Sequence, residues 1–216
     1  MKTTTERLWA RFIADHPELR AWESALLAVH GAMMRCFGTG GKLLACGNGG
    51  SAADADHIVG ELMKGFVLRR PVPDAFAARL RETCGEAAGD ALTASLQGAL
   101  PAISLTAHAA LTSAYANDVA PDMAFAQQVY GYGVPGDVLL AISTSGQSAN
   151  VCKAAQVARA KGMTVVGLTG QDGGALAALC DICIAVPERE TFKVQELHLP
   201  VYHLLCAMVE SECFDS

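Results

Sequence analysis

The chain has 216 residues, 51% of them hydrophobic, and a formal net charge of −6. That length and content suit one packed α/β domain rather than a disordered chain. The acidic balance, with Arg69-Arg70 as its densest basic pair, excludes nucleic acid as a main partner, because neutralising phosphates needs a basic surface.

Residues 5–37 carry Leu8, Phe12, Leu19, Trp22, Leu26, Leu27 and Met34 at helical spacings, and Pro17 is expected to split this arm into two helices. Residues 41–46 predict a short apolar strand. It ends in Gly47-Asn48-Gly49-Gly50-Ser51, and a helix is expected from about 52 to 64, which opens a βα unit. Residues 67–100 are less regular and read as an insertion with one or two short helices. Strands are expected at 101–105, 137–142, 164–168 and 181–186. Helices are expected near 108–115, 122–131, 147–161, 175–179 and 191–213, with Gly162 able to end the third of these. Apolar strands alternating with helices indicate an α/β fold, a doubly wound, mostly parallel sheet of about five strands flanked by helices.

No apolar run approaches the ~20 residues of a membrane span. The first residues, Met1-Lys2-Thr3-Thr4-Thr5-Glu6, lack an apolar signal core, so no membrane partner and a cytoplasmic location are expected. Most of the eight cysteines sit among apolar residues and read as reduced and buried. Cys180-Asp181-Ile182-Cys183 is a CxxC with no second pair. Within a strand-like run the two thiols would point to opposite faces, which argues against a zinc or redox role.

Three groups of residues can carry chemistry. The loop after the strand ending at Ile142 brings hydroxyls from Ser143, Thr144, Ser145 and Ser148, with Gly146 permitting a tight turn. It runs into a helix start, where free N–H groups and the positive dipole end favour an anion. One hydroxyl would serve as a helix cap, and four exceed that need. The loop is not a nucleotide-binding P-loop, since the spacing and the lysine are absent. His57 and Glu61, at i and i+4, share one helix face and can supply metal ligands or a general base, or only a hydrogen-bonded surface pair. Gln195, Glu196, His198 and His203 lie on the last helix, where Pro200 is expected to introduce a kink. Gln195 and His203 are about 12 Å apart along a helix axis, so they border one site only with converging side chains, unless one serves a neighbouring subunit. His198 has no partner in the sequence and reads as structural, and His16, His30 and His108 read as structural or exposed. Asn117-Asp118 is placed in a loop between helices, where it could cap a helix or bind a polyol.

Together the segments CGNGGSAADADHIVGEL, YANDVAPDMAFAQQVYGYGVPGDVLLAISTSGQSANV, KGMTVVGLTGQDGGALAALCD and VQELHLPVYH resemble the phosphoheptose isomerases of the sugar isomerase (SIS) domain family. The resemblance covers most of residues 38–213. It implies one SIS domain over 1–216, including the helical arm at about 5–37 and the insertion at about 67–100. It implies a sugar phosphate substrate held by Asn48, Gly49, Gly50, Glu61, Asn117, Asp118, Ser143, Thr144, Ser145, Ser148 and Gln195. It also implies zinc on His57, Glu61, Gln195 and His203, an acid–base pair in Glu61 and His203, and a homotetramer. The expected reaction is aldose–ketose isomerisation of sedoheptulose 7-phosphate through an enediol. The alternative is a non-catalytic member of the same fold that acts by protein contact, of the DnaA initiator-associating type. Two departures stand out: the stretch 67–100 is long for the family, and Phe192 replaces an acidic residue that often lies three positions before the matched glutamine.

Overall fold

The computed structural model describes residues 1–215. Its centre is a sheet of five strands, β1 (Leu43–Cys46), β2 (Ala102–Ser104), β3 (Val138–Ser143), β4 (Thr164–Thr169) and β5 (Ile182–Ala185). The order is β2-β1-β3-β4-β5 and every neighbouring pair is parallel. The central strands are apolar at consecutive positions because both faces are covered. Leu43 and Ala45 join one core with Val138, Leu140 and Ile142, while Leu44 and Cys46 join a second with Leu139 and Ala141.

The first core is covered by four helices: α1 (Thr3–Asp15), α2 (Glu23–Gly38), α3 (Gly50–Met63) and, last in the chain, Thr191–Phe214. The expected break at Pro17 is a short 3-10 helix, Pro17–Trp22, between α1 and α2. The insertion forms α4 (Asp74–Cys84) and α5 (Glu86–Ser95), two helices that pack chiefly against each other. The opposite face carries α7 (Ala124–Tyr132), α8 (Ala149–Ala160) and α9 (Gly174–Ala177), with α6 (Ala109–Asp118) ahead of them. The terminal helix is therefore α10, and it continues through Pro200 as one helix. Gly162 ends α8 with φ +71°, a left-handed conformation that a side chain would strain.

Two expectations are corrected here. Asn117 and Asp118 form the last turn of α6 rather than a loop, and the Asn117 amide donates to the Asp118 carboxylate at 2.8 Å. The CxxC is not a continuous strand. β5 starts only at Ile182, and Asp181 turns the chain by holding Val165 twice, donating its N–H to the carbonyl and accepting the Val165 N–H on its carboxylate. Cys180 is thereby brought to the same face as Cys183.

Candidate active site

The strand order reverses direction between β1 and β3, and in such sheets the crevice at the carboxyl ends of these strands is where ligands bind. A cavity of about 280 Å³ lies there, lined by Asn48, Gly49, Gly50, Ser51, Ile142, Ser143, Thr144, Ser148, Thr191 and Gln195. The chain leaves β1 through Gly49, at φ +56°, and enters α3 at Gly50. The loop after β3 turns at Gly146, at φ +64°, where a Cβ would lie 2.0 Å from the Gly173 carbonyl oxygen. Only glycine fits there, so the hydroxyl loop is wedged against the residues that open α9.

Of the four hydroxyls, Ser143, Thr144 and Ser148 reach the cavity, and the Ser143 and Ser148 oxygens are 3.0 Å apart. Ser145 is turned away and accepts the N–H of Gln147 at 3.2 Å. Gln195 comes from α10 and lies over Gly50, where any Cβ would meet its Nε2 at 2.3 Å. Sequence reasoning missed Asn150. Its amide exchanges two hydrogen bonds with Asn48, at 2.9 and 2.8 Å, and ties the β1 loop to the start of α8 across the switch point. Two side-chain amides facing each other over a strand reversal leave no periodic signal in the sequence. Asn117 and Asp118 do not line this cavity.

A second cluster lies further along α3 and α10. His57 Nε2 is 3.2 Å from Glu61 Oε1, and Lys64 Nζ is 2.9 Å from Glu61 Oε2. The other ring nitrogen of His57 meets the Tyr202 hydroxyl at 3.1 Å, and that hydroxyl donates to Asp54 at 3.3 Å. The His203 ring packs edge-on against His57, with centroids 5.0 Å apart, and also against Phe66. Burial and the nearby His57 lower the pKa of His203, opposed by the Glu61 charge. Burial raises that of Asp54, opposed by the Tyr202 hydrogen bond and His57. Glu61 is buried, and His203 Nε2 is buried without a hydrogen-bond partner. A groove between α1 and α10 reaches His203 and is lined by Phe12, Phe66, Val67 and Leu204 among others.

The structure thus brings His57, Glu61 and His203 together and sets Gln195 apart, in the cavity with the hydroxyl loop. Among the described residues, no three His, Cys, Asp or Glu side chains converge closely enough to hold a metal ion in this arrangement. Lys64, Asp54 and Tyr202 complete the cluster and were not singled out in the sequence.

α3 and α10 are locked in register by a buried ion pair. Arg70 donates to Glu210 at 2.7 Å and to the carbonyls of Leu62 and Glu61 at 2.7 and 2.9 Å. Glu210 also accepts the N–H groups of Phe66, Val67 and Leu68. The end of α3 that carries Glu61 is therefore fixed to the helix that carries His203.

His198 is structural. It is fully buried, one ring nitrogen lies 3.2 Å from the Thr169 carbonyl, and burial lowers its pKa to about 4. The folded imidazole stays neutral while the unfolded one takes a proton below about 6.5. Its contribution is complete above that pH and is lost as pH falls toward about 4. Wild type is expected to lose on the order of 2 kcal/mol more than His198→Gln between pH 7 and pH 5. Urea unfolding at the two pH values measures the difference, and equal losses would remove this role.

Comparison with known proteins decides the family. A family model described as SIS domain matches residues 77–170. The phosphoheptose isomerase of Rhodospirillum rubrum is 41% identical over 186 residues, covering 86% of this chain and 85% of that protein. That of Thiobacillus denitrificans is 42% identical over 201 residues, covering 92% and 86%. The chain belongs to the phosphoheptose isomerase family. The fold agrees: the structure of phosphoheptose isomerase GmhA from Neisseria gonorrhoeae matches with a TM-score of 0.72 at 33% identity, covering 97% of this chain and all of that one. Within this family member, α3 and α10 together border the cavity at the strand reversal and carry the Glu61 cluster.

Proposed function

We propose that the chain is an aldose–ketose isomerase, interconverting sedoheptulose 7-phosphate and a heptose 7-phosphate of the D-glycero-D-manno type. The observation that carries this is the sharing of two helices, α3 and α10, by an anion cavity and a carboxylate–imidazole cluster. The hydroxyls of Ser143, Thr144 and Ser148 and the N-terminus of α8 suit the phosphate. Asn48, Gly49, Gly50 and Gln195 suit the sugar hydroxyls beside it. Asn117 and Asp118 keep a substrate role only if the ligand extends beyond that cavity.

Isomerisation moves a proton between C1 and C2 through an enediol. Glu61 and His203 are assigned that exchange, with the imidazole held neutral by burial and His57 keeping the carboxylate in place. Fixing the phosphate at a distance turns binding energy into orientation of the reacting carbons.

His57, Glu61 and His203 are zinc-type donors and His203 Nε2 is buried without a partner, but in this arrangement the side chains do not converge on one point and Gln195 lies in the other cavity, so zinc on these four residues would require them to close together. When bound, zinc supplies a Lewis acid for the carbonyl oxygen. Lys64 has to leave Glu61 for that carboxylate to bind a metal. The reading keeps the homotetramer implied by the resemblance and the cytoplasmic location expected from the sequence. Exposed Val67, Phe192 and Leu199 near the two sites suit cover by another subunit, and no described helix is long and apolar enough to cross a membrane.

The test is to incubate the protein with sedoheptulose 7-phosphate, with zinc and with a chelator, and to assay aldose formation. Product that falls on chelation supports both the reaction and the metal. Product unaffected by chelation keeps the reaction and removes the metal. No product with zinc present leaves the non-catalytic reading, which the Glu61 cluster does not favour.

A further inference from the structure

We infer that Cys180 and Cys183 form an oxidisable dithiol that closes to an intrachain disulfide when the protein meets hydrogen peroxide. The two residues lie on the face of the sheet opposite α10, at its β5 edge. Cys183 is in register with Gly167 of β4. A Cβ on Gly167 would sit 2.5 Å from the Cys180 sulfur and 3.4 Å from the Cys183 sulfur, so both sulfurs share the space above one glycine. Gly167 is thus the gap that lets the thiols approach. The turn at Asp181, pinned twice to Val165, folds Cys180 back over it.

The surroundings give the two sulfurs different roles. Cys180 Sγ lies 3.1 Å from the Leu176 carbonyl, and Cys183 Sγ lies 3.7 Å from the Thr169 hydroxyl. Hydrogen bonding from Cys180, and then from Thr169, brings the Cys183 thiol down to about 7 against the pull of burial. The Cys180 thiol moves up, because it holds the shared proton, is buried and faces the Cys183 charge, with Asp181 adding further negative charge. Both residues are half-buried, within reach of a small oxidant.

The chemistry balances with peroxide as oxidant. The Cys183 thiolate attacks one peroxide oxygen, the O–O bond breaks, and the departing hydroxide takes a proton to leave as water, giving a sulfenic acid. Cys180 then attacks the Cys183 sulfur, the S–O bond breaks, and a second water leaves with the Cys180 proton. Two thiols are oxidised to one disulfide, and one peroxide is reduced to two waters.

The sequence makes the test clean. Cleavage after Lys161 and Arg189 releases a peptide whose only cysteines are Cys180 and Cys183. The reduced full-length protein is treated with peroxide, its remaining thiols are alkylated, and it is digested. The expected result is this peptide lighter by two hydrogens and unalkylated, with both alkylation sites regained after reduction. Cys180→Ser is expected to stop at a Cys183 sulfenic acid that a dimedone probe traps. In Cys180→Ala, which also removes the hydrogen-bond donor, the pH midpoint of Cys183 alkylation should rise from about 7 toward the ordinary thiol value of about 8.5. A peptide still alkylated at both cysteines after peroxide, or one carrying sulfonic acid and no disulfide, overturns the proposal. Exposed Cys84 and Cys213 report whether oxidant reached the protein.

Discussion

Glu61→Gln and His203→Ala are each expected to lower turnover by about 10²–10⁴-fold, the range for loss of a positioned acid or base. Neither side chain lines the cavity that holds the hydroxyl loop, so the affinity for inorganic phosphate should barely change. That split separates proton transfer from anchoring. Glu61→Gln keeps the shape of the side chain and an oxygen for Lys64, and only the charge and basicity go. His203→Ala removes a ring packed against His57, Tyr202 and Phe66. Its thermal stability must therefore be measured beside its rate, so that lost folding is not read as lost chemistry. Steady-state kinetics on sedoheptulose 7-phosphate, with phosphate binding by calorimetry, give both numbers. Turnover unchanged in both variants would sink the acid–base assignment. A matched fall in phosphate affinity would show instead that the two sites collapse together.

The second large effect is on stability. Arg70→Met or Glu210→Gln should each cost about 3–5 kcal/mol, as breaking one side of a buried ion pair does. Both side chains are essentially without solvent contact. Glu210 accepts from Arg70 and from three consecutive backbone N–H groups, so its loss orphans more than a single charge. Removing Arg70 leaves that carboxylate without its counter-charge and takes the partner from two carbonyls at the end of α3. For a chain of this size, the melting temperature should fall by roughly 10 °C. Differential scanning calorimetry checks it, and a cost below about 1 kcal/mol would show that the pair is solvated or dispensable.

The geometry also limits what each part can do. The hydroxyl loop offers donors and a helix start but no acid or base, so under the proposed assignment it would anchor the phosphate without reacting. His57, Glu61 and His203 lie beyond it along the same two helices. Under the proposed assignment the reaction would depend on how rigidly α3 and α10 are held relative to each other. The Arg70–Glu210 pair supplies that rigidity at one end, and Gln195 against Gly50 supplies it at the other.

The layered α/β fold is legible in the chain because apolar strands, glycine turns and helical periodicity are local signals. Sequence patterning placed all five strands to within a residue or two, and the loop around Gly146, where a turn and a helix start are written in neighbouring residues. It also placed His57 beside Glu61, because one helical turn fixes that pair. The remaining features come from contacts between distant segments. Strand order put the β1 and β3 loops side by side and made Asn48 meet Asn150, residues about a hundred positions apart. Packing of α10 along α3 separated Gln195 from His203, which no spacing on a single helix could assign to one cavity or two. The turn at Asp181 brought two thiols together that a strand pattern would have split. Each of these rests on contacts between distant segments, and periodicity carries no record of which distant segment a face will meet.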